Sequence, residues 1–496
     1  MKFTLKPTDI AEIESDALVF FGSDATLPNL INGPFPLAKN LKRAVEREEF
    51  KGEFGKTLII SAPVESPSYK FIIVGLGKED EFDYFKLQEA VGHATGQCRQ
   101  IKARKVTISI MEDWMKKFGA ATAVQAVVEA VIFSSYQFHK YKSSPPSETG
   151  MIEEVILSVT PSRLSSAEEG IRIGQVFAEA VIFARDLVNN PSQLTTPTYL
   201  AKVAEDIAKS SKDEIKVKIL DEKEIAKLGM NAFLGVARGS DEPPKFIRFH
   251  YKPRNPKKKI VIAGKGITFD TGGLSLKDAK NMETMKLDMA GAAAVLSVFQ
   301  AIYKLKSDFE IVGLIAACEN MPSGKALKPG DILRALNGKT IEVLNTDAEG
   351  RLTLADVLSY AVEKEKADEI IDLATLTGAC VVALGEDIAG LWGSNDKLLQ
   401  KIEECAKVTG EKLWRMPLAS GYKELIQSHI ADVKNIGGKW GGAITASLFL
   451  HEFVGPTPWI HLDIAGPAYA EKNTPLSPIG GTGYGTRLLL RYLTSP

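Results

Sequence analysis

An α/β fold in two parts is predicted: a smaller N-terminal α/β domain, then a larger C-terminal domain whose mostly parallel central sheet is flanked by helices. Three observations predict it. At 496 residues the chain exceeds what one hydrophobic core usually supports. Short β-branched runs alternate with helical stretches, the rhythm of α/β proteins. In the larger part the strand-like runs are apolar almost without interruption, as in parallel sheets buried on both faces.

In the first third, TLIISAP, YKFIIVGLG, KVTISIM and EEVILSVT are the strands, and LQEAVGHATGQCRQI is helical. KYKSSPPSETG, Lys140 to Gly150, is rich in breakers and is read as a loop, because another strand-like run follows at Glu153 to Thr160. Ser165 or Ser166 then opens a helix, each with Glu three residues on in capping-box spacing. Ile173, Val176, Phe177, Ala180, Val181 and Ala184 repeat along it at helical intervals. The expected division is therefore 1–162, a linker helix at 163–186, and 187–496. In the last part KKIVIAG, FEIVGLIAAC, TIEVLN, EIIDLATL and PWIHLDIAG alternate with helical AGAAAVLSVFQAIYKL and LTLADVLSYAVEKE. Ligands of such sheets bind beyond the carboxyl ends of the strands.

Hydrophobic content of 45%, charged content of 25% and a net charge of -1 attract neither nucleic acid nor an anionic membrane surface. The N-terminus lacks a basic start followed by an apolar core, and no run reaches the ~18 apolar residues of a membrane span, so a cytoplasmic protein is expected. Four scattered cysteines without C-x-x-C argue against both a disulfide framework and a thiolate zinc site.

Several motifs fail on spacing. VGLGKED lacks the third glycine of a dinucleotide loop, and NGKT has Leu333 where a P-loop needs its first glycine. HEFVG offers Gly455 in place of a second zinc-binding histidine, and GGLSLK ends in Lys277 rather than the last glycine of a nucleophile elbow. His461, inside apolar WIHLDIAG, reads as a hydrogen-bonded core residue.

Two segments remain. AGKGITFDTGGLSLKDAKNMETMKLDMAGAAA leaves a strand, carries glycines that let backbone approach a ligand, and re-enters a helix. NTDAEGRL, Asn345 to Leu352, also leaves a strand-like run, and in extended backbone Asp347 and Glu349 would face one side. Alone it also reads as a helix start, with Asp347 as N-cap and Arg351 paired locally.

Together with GKGITFDTGG, the lysine of LSLK, DMAGAA and DLATLTGA, NTDAEGRL resembles the leucyl aminopeptidase family, the cytosol-type two-metal exopeptidases. The motifs stand in the family's order over about Asp186 to Pro496; the N-terminal third resembles the family in layout only. The resemblance implies Lys265, Asp270, Asp288, Asp347 and Glu349 as ligands of two divalent ions, with Asp270 and Glu349 bridging both. It implies Lys277 and Arg351 as catalytic side chains, Arg351 holding a bicarbonate, and Met285, Thr375 and Gly378 as the pocket for an apolar side chain. For Met285 core packing is an equal reading. Ala290 stands where many relatives have a second small residue, usually glycine.

Four converging carboxylates repel unless cations balance them, and two divalent ions do so. Lysine must be neutral to ligate, and nearby dications together with burial favour that form. Such a donor set accepts manganese or zinc, and sequence leaves the choice open. The implied activity is release of N-terminal residues, leucine and other apolar ones first, from peptide substrates, by a homohexamer of two trimers. The alternatives are a DNA-binding or a structural homologue; nucleic acid has only the short basic run NPKKKI in its favour.

Overall fold

Residues 1–7, 10–32, 38–62, 66, 68–144 and 151–495 are described by the computed structural model of the chain. It divides into Met1–Glu179 with Lys472–Ile479, and Ala180–Glu471 with Gly480–Pro496. The breaker-rich segment read as a loop falls largely on residues 145–150, outside the described ones.

The first unit holds β1 (Lys2–Lys6), β2 (Ser15–Gly22), β3 (Thr57–Ser61), β4 (Ser68–Gly75), β5 (Lys105–Ser109) and β6 (Glu154–Ser158). They form one sheet in the order β1-β6-β5-β2-β4-β3, parallel throughout except for the β3–β4 pair. Val19, Ile72 and Val106 of the sheet share a buried cluster with Val91 of helix Tyr84–Gln100 and Val127 of helix Ala120–Ser135.

The second unit continues with β7 (Ile215–Leu220), β8 (Lys245–Tyr251), β9 (Lys259–Asp270), β10 (Glu310–Asn320), β11 (Ile332–Arg334) and β12 (Thr340–Glu342). It then adds β13 (Glu369–Ala374), β14 (Ala389–Gly393), β15 (Leu413–Arg415), β16 (Val433–Lys434) and β17 (Trp459–Asp463). Eight of these strands form a sheet ordered β15-β14-β17-β13-β9-β10-β8-β7. Its four central strands, β17, β13, β9 and β10, run parallel, and antiparallel pairing enters only toward the edges. β10 is buried at every position but one, so its apolar run has no polar face to show. Helix Ala290–Leu305 presses on β9 and β13 through glycine: a Cβ on Gly264 would lie 2.4 Å from the Gly291 carbonyl, and one on Gly291 2.2 Å from that of Leu373.

Three expectations are corrected. TIEVLN yields only β12, which pairs with β11 and β16 in a separate small sheet, because the chain turns away after Glu342. Ser165 and Ser166 are not caps: a 3-10 turn at Pro161–Arg163 leads directly into helix Leu164–Asn189, placing both serines inside it. The first unit also reclaims Lys472–Ile479, a return of the chain that a single cut near 162–187 does not contain; Leu476 is buried in that unit's core. Met285–Leu305 is a helical stretch long and apolar enough to cross a bilayer, and 83% of its apolar window is buried inside the protein, which accounts for its character.

His461 behaves as its setting suggested. Its Nδ1 lies 2.6 Å from Asp372 Oδ1, and Trp459 Nε1 donates to Asp372 Oδ2 at 2.6 Å.

Glu310, buried at the start of β10, faces His250 at 2.9 Å, Lys252 at 3.2 Å and Lys259 at 3.3 Å. Burial alone would raise its pKa, but hydrogen bonds from these three partners prevail and bring it down to about 2. A carboxyl depressed on folding stabilises the native state fully above its unfolded value, and that stability is lost as pH falls from about 4.5 toward 2. Glu310→Gln should therefore cost about 2–3 kcal/mol at pH 7, with the loss shrinking between pH 5 and pH 2.5 in urea unfolding. A pH-independent difference would sink this assignment.

Candidate metal centre

The central strands end together, and their ends deliver Asp270 from β9, Asn320 from β10, Thr375 just past β13 and Asp463 from β17. Lys265 lies inside β9 with its ammonium buried. Its Nζ is 2.8 Å from Asp288 Oδ1 and 2.8 Å from Glu349 Oε1, and donates to the Thr375 carbonyl at 2.9 Å. Burial would lower its pKa, yet Asp288, Glu349 and Asp270 outweigh burial and raise it well above the usual lysine range. Lys277, on the loop after β9, lies 2.9 Å from Asp270 Oδ2 and also meets Asp347 Oδ1. Its pKa is raised too, with Asp270 and Glu349 prevailing over burial.

Burial pushes the carboxyls of Asp288, Asp347 and Glu349 upward despite these lysines. Four carboxylates against two ammonium groups leave negative charge over. Asp270, Asp347 and Glu349 each bring one oxygen within 4.8 Å of the others. Asp288 Oδ2 and Glu349 Oε2 are buried without a hydrogen-bond donor. Donorless oxygens in a buried acidic cluster suit divalent cations, so the residues present fit metal ligation. Helix Gly350–Glu363 sets the spacing too: a Cβ on Gly350 would sit 2.5 Å from Lys265 Cε, so a side chain there would displace the Lys265 amine.

The structure thus brings together Lys265, Asp270, Lys277, Asp288, Asp347 and Glu349. The helix-cap reading of Asp347 is corrected: Glu349 occupies the cap position of helix Gly350–Glu363 and its side chain caps nothing. Nor is the backbone of Asp347 and Glu349 extended; they lie in and just after a turn that begins three residues beyond β12. Arg351 makes no ion pair among the described residues. It is buried, its Nη1 donates to the Asn435 carbonyl at 2.7 Å, and its Nε has no partner. Burial lowers its pKa to about 10, against the pull of Glu349 and Asp463.

Thr375 touches the cluster directly: its Oγ1 donates to Asp288 Oδ1 at 2.6 Å. Met285 opens the 3-10 turn Met285–Met289 that delivers Asp288, and Gly378 opens helix Gly378–Leu384 with open space where a side chain would be. Both flank the centre.

Sequence reasoning missed three supports. Asn320 Nδ2 donates to Asp270 Oδ1 at 2.8 Å and to the Thr346 carbonyl at 3.1 Å. Asn435 accepts from Leu344 N at 2.8 Å and donates to the Asn345 carbonyl at 2.6 Å, fastening the NTDAEGR turn. Asp463 accepts from Thr377 Oγ1 at 2.7 Å and from Leu376 N at 3.2 Å, fastening the loop that carries Thr375. An asparagine or aspartate ending an apolar strand was the only signal for Asn320 and Asp463; Asn435, in VKNIGG, offered none.

Residues 182–490 match the model of the cytosol aminopeptidase family, catalytic domain, and residues 23–145 that of the same family's N-terminal domain. The chain is 46% identical over 480 residues to a probable cytosol aminopeptidase of Nostoc punctiforme, covering 96% of this chain and 94% of that protein. With a probable cytosol aminopeptidase of Clostridium perfringens the identity is 41% over 491 residues, 98% of each. Among solved structures, a mutant tomato leucine aminopeptidase is 34% identical with a TM-score of 0.88, over 100% of this chain and 96% of that one. A bottromycin maturation enzyme in complex with Mn is 31% identical with a TM-score of 0.84, over 97% and 99%. The N-terminal third, which matched in layout only by motif, is therefore covered as well.

If the cluster holds divalent cations, Mn2+ at about 100 times its Kd should stabilise the fold by roughly 2.7 kcal/mol, read as a rise in Tm. Asn320→Ala, which frees Asp270, should weaken that affinity about 10- to 100-fold. A Tm indifferent to Mn2+ and Zn2+ would contradict the assignment.

Proposed function

Because the chain belongs to the cytosol aminopeptidase family, whose members are metal-dependent peptidases, we propose that it removes N-terminal residues, preferentially leucine and other apolar ones, from peptides by a two-metal mechanism. The observation that carries this reading is the buried convergence of Lys265, Asp270, Asp288, Asp347 and Glu349 beside Lys277. These five residues would hold two divalent ions, Mn2+ or Zn2+, with Asp270 and Glu349 shared between them. When bound, the ions supply Lewis acidity toward water and the scissile carbonyl.

The chain's own groups do the rest. Lys277, as an ammonium, would stabilise negative charge on the carbonyl oxygen in the transition state. Lys265 can ligate only as the neutral amine, which cations at the carboxylates favour by replacing the charge its ammonium now supplies. Arg351, with a buried unpartnered Nε, offers a planar fork to a small oxyanion, and bicarbonate fits that role as a proton carrier. Met285, Thr375 and Gly378 bound the space for the first side chain, where the flexible Met285 tolerates varied apolar shapes.

Cytoplasmic residence and a homohexamer of two trimers belong to the same reading; four buried free cysteines agree with a reducing compartment. The DNA-binding alternative gains nothing from NPKKKI: Lys257, Lys258 and Lys259 pair with Asp308, Glu369 and Glu310.

Chelated protein should be inactive on leucine-p-nitroanilide and regain activity with Mn2+ or Zn2+. Lys277→Ala should lose about 10²–10³ in kcat while keeping metal-induced stabilisation. Lys265→Arg, charged at every accessible pH, should lose the metal effect as well as turnover. Folded, metal-loaded protein that hydrolyses neither this substrate nor dipeptides would overturn the proposal.

A further inference from the structure

In the sheet of the first unit β2 and β5 are parallel neighbours, yet the chain leaves them in opposite directions: β2 leads on toward β4 on one side, β5 toward β6 on the other. The connections also cover opposite faces. Leu18 of β2 shares a cluster with Leu41 and Val45 of helix Ala38–Arg47, whereas the next residue, Val19, shares one with Val127 of helix Ala120–Ser135. Where connections part in this way, open α/β sheets have a crevice beyond the carboxyl ends of the strands, and ligands bind there.

A cavity of about 330 Å³ is built from those strand ends. Ser23 and Thr26 come just after β2, Leu76, Glu79 and Phe82 just after β4, and the remaining walls from the residues after β5. VGLGKED, which fails as a dinucleotide loop, thus supplies one wall, with Gly77 at φ +69 as the chain turns off β4. Leu76, Phe82, Met111 and Trp114 make the lining largely apolar, and the rings of Phe82 and Trp114 lie nearly parallel with centroids 6.2 Å apart. Four charged side chains complete it. Asp113 and Lys116 pair with each other at 3.5 Å. Glu79 and Lys117 make no ion pair among the described residues, and Lys117 Nζ is held at the wall by the Phe82 carbonyl.

We propose that this cavity binds a free amino acid with an apolar side chain. One unpaired charge of each sign beside an apolar lining is complementary to such a zwitterion: Lys117 would take the carboxylate, Glu79 the ammonium, and Leu76, Phe82, Met111 and Trp114 the side chain. An anion would use only one of the two charges, and an uncharged apolar molecule neither. The Ser23 and Thr26 hydroxyls, 3.0 Å apart, add a polar edge. Amino acids of this class are also what the proposed peptidase releases, but the binding does not depend on that reading.

The test is hydrogen exchange in the full-length, metal-loaded protein with and without L-leucine. Leucine should slow exchange in residues 76–82 and 111–118, and a titration followed at those segments gives its Kd. Leucinol, which lacks the carboxylate, and N-acetyl-leucine, which lacks the ammonium, should each bind about tenfold more weakly. Lys117→Met should erase the preference over leucinol alone, and Glu79→Gln the preference over N-acetyl-leucine alone. Leucine that protects only the metal centre overturns the inference and leaves the peptidase reading intact, as does equal binding of the three compounds. Protection of both segments in a protein that hydrolyses no peptide supports the site and sinks only the peptidase reading.

Discussion

Four carboxylates converge, with Asp270, Asp288 and Glu349 buried and Asp347 partly so, and everything around them follows from keeping them together. Like charges in a buried space drive one another toward protonation, and burial adds to that. Two ammonium groups offset part of the repulsion: Lys265 between Asp288 and Glu349, Lys277 between Asp270 and Asp347. The offset is incomplete, as the upward pull on three of the carboxyls and the donorless oxygens of Asp288 and Glu349 show. A protein that wanted only stability would replace such a cluster with apolar side chains. Its retention at the ends of the best-buried strands marks it as functional.

Holding it takes contributions from several elements at close range. Parallel strands place their carboxyl ends on one side, so Asp270, Asn320, Thr375 and Asp463 arrive together by topology alone. The helix carrying Ala290 can reach the sheet only because Gly264 and Gly291 leave room, and that approach sets the position of Asp288. Gly350 lets the following helix begin against Lys265. Asn320, Asn435 and Asp463 then tie down Asp270, the NTDAEGR turn and the loop that carries Thr375, through hydrogen bonds to backbone and side chain. Outer partners of this kind fix the orientation of the groups they hold.

Much of this was legible in the sequence, and the exceptions have physical reasons. Continuous apolar runs identified β9, β10, β13 and β17, because burial on both faces leaves no other pattern. The candidate ligands lay in motifs dense in charge and glycine. TIEVLN misled, since β-branched residues serve a small peripheral sheet as well as a central one and composition does not record which strand pairs with which. The serines before helix Leu164–Asn189 misled because a 3-10 turn satisfied the helix start instead. Asn435 was invisible for a different reason: it acts through partners distant in sequence, which leave no local pattern.

The two lysines show how one cluster can assign opposite duties to the same residue type. Lys265 is fixed inside a strand, 4% exposed along its side chain, and surrounded by Asp288, Glu349 and the Thr375 carbonyl. Under the proposed two-metal reading this amine, fixed by its strand, would serve as ligand rather than counter-ion. Lys277 stands on a loop, 15% exposed, held through its backbone N–H to the Thr271 carbonyl at 3.0 Å. Under the same reading a loop-borne ammonium would have the freedom to face a substrate carbonyl oxygen instead of the carboxylates. The division of labour therefore lies in the backbone that presents each lysine, strand against loop, and not in the side chains themselves.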